Sequence, residues 1–365
     1  MEREERVYRL TLSRIKGIGP AKYKMLLSHF RKAEDIFQAN LKYLSQLNGI
    51  TPALAQAIIQ NNDFRNNERE LEQYDDLNVR VIECTEPQYP QKLLWCNDHP
   101  IFLFMQGQGN LNTSPMLAFV GTRHNSDYGQ RMCEELIAAL VPYQPCIVSG
   151  LAFGIDIIAH KAAIKHELPT LAVLASGLDM LYPRAHLNSV KQMLSSGGIL
   201  CEYPLGTPPD KNNFPTRNRI VAGMCDATIV IETDVKGGSM ITAELAYGYN
   251  RDVFCVPGRV FDQRSAGCNL LIKNLKAQML THADDLVHAM GWKSNHKLPV
   301  QTALFQDWSE DEQQILRVLQ SHNGIHLDEL ALHTALGTGK LSAAILQLEM
   351  KNAVKMMPGK LLCLV

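Results

Sequence analysis

Residues 227–248 read ATIVIETDVKGGSMITAELAYG. The first six form a short apolar run that fits a strand buried on both faces, and the pattern then turns helical, with Ile241, Leu245 and Tyr249 on one stripe. Between the two, Lys236, Gly237 and Gly238 make a turn, and Ser239 is placed to cap the helix. A strand, a glycine turn and a helix in this order present backbone N–H groups at a helix N-terminus, where an anion is favoured.

The same unit recurs on either side. From residue 115 the runs MLAFVGTR, CIVSG, TLAVLASG, GILCEYP and DVFCVPG alternate with helical patterns. This alternation predicts a Rossmann-like, doubly wound, mostly parallel α/β sheet over 115–290, with function at the carboxyl ends of its strands. Two more of those ends carry glycine turns. In GTRHNSDYG (121–129) Ser126 can cap a helix whose apolar face is Met132, Leu136, Ile137 and Leu140, and SGLAFGID (149–156) opens the next helix. Three helix N-termini on one sheet edge point to phosphate, with Arg123 and Lys236 adding positive charge. FPTRNRIVAG (214–223) supplies Arg217, Asn218 and Arg219. Arg217 and Arg219 are two residues apart, so only one of them can aim into a crevice, and the other is left to hold the fold. The candidate contacts are Gly121, Arg123, Ser126, Gly150, Gly154, Arg217, Asn218, Lys236, Gly237, Gly238 and Ser239. Phe153, Phe214 and Tyr128 lie in the same loops as candidates for stacking, although aromatics are more often core residues.

The phosphate is not that of a common nucleotide cofactor. No G-x-G-x-x-G occurs in the chain, and GTGK (337–340) lacks the upstream glycine of a P-loop. No cofactor and no metal are expected: the nine cysteines include no C-x-x-C pair, and the histidines are dispersed. Scattered single thiols suit a reducing cytoplasm. No apolar stretch is long enough to span a membrane, and the charged start MEREERVYRL gives no export signal. The formal net charge of -1 means that any nucleic-acid site must be a local patch.

Outside the sheet, IKGIGPAKYKMLL (15–27) aligns without gaps to LNGITPALAQAII (47–59). Repeated helix, turn, helix units over 1–75 follow, with Gly17, Gly19 and nearby lysines open to a phosphate in the first copy and packing alone in the second. Residues 76–114, rich in proline and glycine, read as a connecting extension. After a linker at 291–307, residues 308–365 give three helices and a hairpin turning at Pro358 and Gly359, the pattern of a winged helix. A regulator that reads DNA through this module is a further possibility. However, residues 301–365 hold seven acidic against five basic side chains, which suits packing or a protein partner better than a DNA groove.

Taken in order, GTRHNSDYG, SGLAFGIDIIAH, ASGLDMLYPRAH, FPTRNRIVAG, KGGSMITAELA, VFCVPG and GCNLLI resemble the DNA processing protein A (Smf) family over about 170 residues. The flanking modules agree with it, as a SAM-like helix-hairpin-helix module and a winged helix. The resemblance implies a cytoplasmic, non-enzymatic, homodimeric protein. It would bind single-stranded DNA without sequence preference and load RecA recombinase onto it during natural transformation or recombination. The alternative is an enzyme similar to nucleoside-monophosphate phosphoribohydrolases, whose P-G-G-x-G-T-x-x-E loop KGGSMITAE matches in part, ending at Glu244.

Overall fold

The computed structural model describes residues 2–292, 308–321, 324–351, 353–357 and 361–364, and the chain divides into two units, Met1–His296 and Lys297–Val365. In the first unit the strands are β1 (Val79–Glu83), β2 (Phe102–Gln106), β3 (Met116–Val120), β4 (Cys146–Ser149), β5 (Thr170–Val173), β6 (Gly198–Cys201), β7 (Ala227–Val230), β8 (Asp252–Cys255) and β9 (Gln278–Met279). They form one sheet in the order β1-β2-β6-β5-β4-β3-β7-β8-β9. All neighbours from β6 to β9 are parallel, while β2 pairs antiparallel with both β1 and β6. The chain therefore winds outward from β3 to β6, crosses back, and continues from β7 to β9. Its topological switch point lies between β3 and β7.

The strands are short and apolar because both faces are covered. Along β3, Leu117 and Phe119 face one core together with Ile147, Ile229 and Phe254, while Met116, Ala118 and Val120 face the other. Helices α7 (Asp127–Ala139), α8 (Ile155–Lys165) and α13 (Ala283–Met290) close the first face, for example through Leu136, Ala159 and Leu286. The second face is covered by α9 (Leu187–Met193), α10 (Asn213–Met224), α11 (Gly238–Gly248) and α12 (Gln263–Lys273), through Met193, Val221, Ala246 and Leu271.

The sheet starts earlier than the sequence suggested. Residues 76–114, read as a connecting extension, supply β1 and β2, and these two strands clasp the N-terminal module. That module comprises α1 (Arg3–Ser13), α2 (Pro20–His29), α3 (Ala33–Gln38), α4 (Leu41–Gln46), α5 (Pro52–Ile59) and α6 (Phe64–Asp76). Its apolar residues, among them Leu10, Tyr23 and Leu54, belong to the same core as one sheet face, and Tyr74 stacks on Phe104 of β2 at 4.6 Å. Glu83 of β1 is fully buried and accepts hydrogen bonds from Arg9 and the Tyr23 hydroxyl at 3.1 Å and from Thr85 at 2.7 Å. A buried carboxylate held on three sides fixes the module to the sheet edge.

The internal repeat is visible as two helix, turn, helix units. Gly17 and Gly49 occupy equivalent positions at φ +96° and +78°, a region other residues rarely adopt, and Pro20 and Pro52 begin the second helix of each unit. The copies differ where the sequence differs: Thr51 caps α5 by accepting from the Leu54 amide, whereas Gly19 gives α2 no side-chain cap.

In the second unit α14 (Glu310–Ser321), α15 (Leu327–Thr334) and α16 (Thr338–Met350) accompany a three-stranded sheet of β10 (Ile325–His326), β11 (Val354–Met357) and β12 (Leu361–Leu364), in the order β10-β12-β11. Ile315, Leu319, Leu330, Leu341, Leu348, Val354 and Leu362 form its core. This is a winged-helix arrangement. The hairpin turn read at Pro358 and Gly359 lies outside the described residues, as does the linker from 293 onward.

Candidate nucleic-acid interface

A crevice of about 340 Å³ opens at the switch point, beyond the carboxyl ends of β3, β4 and β7. Eight of the eleven candidate residues line it: Gly121, Arg123, Gly150, Arg217, Asn218, Gly237, Gly238 and Ser239. Ser126, Gly154 and Lys236 do not. The crevice also takes in Thr122, His124, Asp156, Thr233, Asp234 and Thr242, which the sequence reading did not select as contacts. Their signal was position alone, since each lies in or beside one of the three glycine turns.

The wall from β3 is built around a buried carboxylate. Glu232, two residues past β7, accepts from the Ser126 amide at 2.9 Å and from the Ser126 hydroxyl, while its carbonyl accepts from the Thr122 amide at 2.7 Å. Ser126 in turn caps α7 by accepting from the Gly129 amide. Its hydroxyl is thus committed to the protein, which is why it stands outside the crevice. Arg123 is exposed, with its guanidinium 5.2 Å from the centre of the Phe214 ring. The ring holds the cation at the mouth of the crevice without neutralising it.

The floor is held by Arg217. This arginine is buried, and its Nη1 donates to the Gly150 carbonyl at 2.7 Å and to the Val173 carbonyl, while Nε donates to Asn218. Its role is therefore to tie the β4 and β5 loops to α10. Arg219 points away from the crevice, to Glu202 and the Asp98 carbonyl. Asp156 accepts from the Gly150 and Ala152 amides at 3.2 and 3.3 Å. Burial raises its pKa, opposed by nearby Arg217, and burial lowers the pKa of Arg217, opposed by Asp156.

Most of the glycines serve the protein's own packing. A Cβ at Gly150 would sit 2.4 Å from the Arg217 guanidinium, and one at Gly154, where φ is +76°, would sit 2.2 Å from the Thr122 carbonyl oxygen. Gly121 and Gly237 are similarly occupied, against Ile155 and Thr233. Only Gly238 among the five faces open space, so it is the one glycine that leaves room for a ligand backbone.

Helix α11 starts earlier than expected. Gly237, in an extended conformation, is its N-cap, which makes Ser239 its second residue rather than its cap. Ser239, 7% exposed, lines the crevice, and the hydroxyl freed by this shift is buried with no hydrogen-bond partner. A buried hydroxyl without a partner beside the free amides of a helix N-terminus is an arrangement that an anion would complete. Lys236 is exposed on the turn just before them.

The aromatic candidates differ in setting. Phe214 supports Arg123, Phe153 is about half exposed and meets His186 edge-on at 5.0 Å, and Tyr128 is exposed with its hydroxyl donating to the Pro257 carbonyl. Glu244, the carboxylate the enzyme reading requires, lies on α11 outside the crevice, paired with Lys276 at 2.7 Å. Among the described residues no cluster of three metal-ligating side chains occurs, and no helix is long and apolar enough to cross a membrane.

Residues 80–291 match the family model of DNA recombination-mediator protein A, residues 9–61 a SAM-like helix-hairpin-helix tandem, and residues 300–360 the DprA winged helix domain. Protein Smf of Synechocystis sp. is 32% identical over 397 residues, spanning 98% of each chain. Among solved structures, DNA processing protein A from Streptococcus pneumoniae is 32% identical with a TM-score of 0.65, covering 78% of this chain and 97% of its own. The corresponding protein from Helicobacter pylori, solved for its single-stranded DNA binding mode, is 29% identical with a TM-score of 0.53, covering 59% and 96%.

Proposed function

The chain belongs to the DNA recombination-mediator protein A family, and from that premise we propose that it binds single-stranded DNA through the switch-point crevice, without sequence preference and without catalysis. The observation that carries the reading is the unpartnered Ser239 hydroxyl beside the N-terminus of α11, flanked by exposed Lys236, in a crevice that exposed Arg123 also lines. Phosphate neutralisation at such a site is indifferent to base identity and weakens with salt. In this reading Arg123, Lys236, Gly238 and Ser239 meet phosphates, while Gly121, Ser126, Gly150, Gly154, Arg217, Asn218 and Gly237 shape the crevice. The pairing of Glu244 with Lys276, away from the crevice, favours binding over N-glycosidic cleavage.

The held strand is then delivered to RecA recombinase, in natural transformation or in recombination at large. Support for this part is the family membership, whose description is that of a recombination mediator. A homodimer is part of the same reading. Its support is the edge strand β9, where Leu275 and Met279 are exposed beside Tyr247 around a shallow cavity. A cytoplasmic location is supported by nine free cysteines, eight of them buried.

The test is binding of labelled single strands and duplexes of several unrelated sequences, with nucleoside-monophosphate hydrolysis assayed alongside. A preference for single strands that is indifferent to sequence, with no hydrolysis, is the expected result. Hydrolysis in the absence of DNA binding would favour the enzyme.

A further inference from the structure

We propose that the loop after β8, residues 257–262, is a second subsite for the strand, at which Phe261 stacks on a nucleobase just outside the phosphate crevice. The proposal rests on the strand-binding reading above and adds a contact of different chemistry to it.

The loop is rooted in both walls of the crevice. On one side the Pro257 carbonyl accepts from the hydroxyl of Tyr128, in the first turn of α7. On the other, Gln263 donates to Asp234 at 2.7 Å and the Gly267 amide to the Thr233 carbonyl at 2.8 Å, and both Asp234 and Thr233 line the crevice. With its base fixed, the loop projects Arg259, Val260 and Phe261 into solvent, and the Phe261 ring is fully exposed. A lone exposed apolar side chain is ordinary and carries no meaning. Here the position and the charge give it one. Asp262, the acid beside the ring, caps α12 by accepting from the Arg264 amide, and exposed Arg259 and Arg264 outnumber it on the loop surface. An aromatic face between two cations, one wall away from a phosphate site, matches a single strand, in which every base offers a π-face and every linkage a negative charge.

A protein surface is the competing occupant. The edge around β9 offers a second copy a broader apolar patch, at Leu275, Met279 and Tyr247, and that patch does not need Phe261. The loop's cationic flanks favour a polyanion instead.

Labelled oligothymidylate and a strand of equal length made of abasic residues separate the two chemistries. Because Phe261 is exposed, Phe261→Ala leaves the fold intact. It is expected to weaken oligothymidylate binding by about 5- to 100-fold while leaving the salt dependence and the abasic affinity unchanged. In Phe261→Trp, the fluorescence of the new indole is expected to be quenched by oligothymidylate but not by the abasic strand. Unchanged affinity in Phe261→Ala, an equal loss on the abasic strand, or an indifferent indole would each overturn the platform. A change in oligomeric mass with unchanged affinity would assign Phe261 to a contact between copies, and also overturns it. Failure of the wild type to bind any single strand would remove the strand-binding reading and the platform with it. Failure of Phe261→Ala alone to weaken binding removes only the platform.

Discussion

His160 makes the fold sensitive to acid in a way that a single substitution separates from every other titrating group. The ring is fully buried on α8, with Nδ1 2.7 Å from Thr170 Oγ1. The Thr170 hydroxyl already donates to the Ile147 carbonyl at 2.8 Å, so it can only accept from the histidine. Nδ1 therefore carries the ring's proton, and Nε2 is a bare lone pair with no partner. Protonating Nε2 would place an unpaired N–H and a charge in the core, near His186 and Arg217. Burial first, and then those two neighbours, push the pKa of His160 down from 6.5 to about 3. At about 1.36 kcal/mol for each unit of difference, the neutral native ring is worth up to about 5 kcal/mol relative to an unfolded chain that titrates normally. Because the folded pKa is depressed, this stability is fully present above pH 6.5 and is lost as pH falls toward 3, by at most about 1.4 kcal/mol per pH unit.

His99, lowered mainly by burial, acts in the same direction, while buried Asp156 and Glu202, both raised, act in the opposite one. The difference between wild type and His160→Asn isolates His160, because asparagine keeps a donor toward Thr170 and cannot titrate. Urea unfolding of both proteins from about pH 7 to about pH 4 should show the wild type losing roughly 3 kcal/mol more than the variant. Equal slopes would refute the buried, neutral ring. Neighbouring His186 donates through Nδ1 to the Leu151 carbonyl and so holds the loop after β4.

Three further outcomes separate folding from binding. Ser239→Ala removes a buried hydroxyl that the fold leaves unpaired, so thermal stability should be unchanged or slightly higher, while single-strand affinity falls by about 1 kcal/mol or more. Gly154→Ala should do the reverse of a surface change, lowering the unfolding free energy by more than about 1 kcal/mol, because φ is +76° and the Thr122 carbonyl stands in the way. Glu244→Ala should leave oligonucleotide binding intact and alter stability by less than about 1 kcal/mol, since it loses only a half-exposed pair with Lys276.

The sheet was legible because its strands are covered on both sides: ATIVIE and MLAFV have no polar alternation to confuse with a helix, and each is followed by a turn. The two antiparallel strands at the β1 end of the sheet were missed because VRVIE carries two charges and the proline and glycine around VRVIE and the apolar FLFMQ resemble a linker. The location of the crevice also followed from the sequence, through three glycine turns at strand ends. What each residue does there did not. Whether Ser239 caps its helix or stands free depends on where α11 begins, and a shift of two residues reversed its role. Arg217 and Arg123 look alike in sequence, yet one is sealed beneath two loops and the other rests on an aromatic ring in solvent. Phe261 gave no signal at all, since its exposure depends on tertiary packing that no periodicity records.

The central claim is that exposed Arg123 and Lys236 hold strand phosphates at the N-terminus of α11. Its most direct test is the salt dependence of single-strand affinity in wild type and in the Arg123→Ala, Lys236→Ala double variant. If each cation neutralises one phosphate, the variant binds more weakly and its slope of log affinity against log salt is shallower by about 1.4. An unchanged affinity and an unchanged slope would place the strand elsewhere on the molecule.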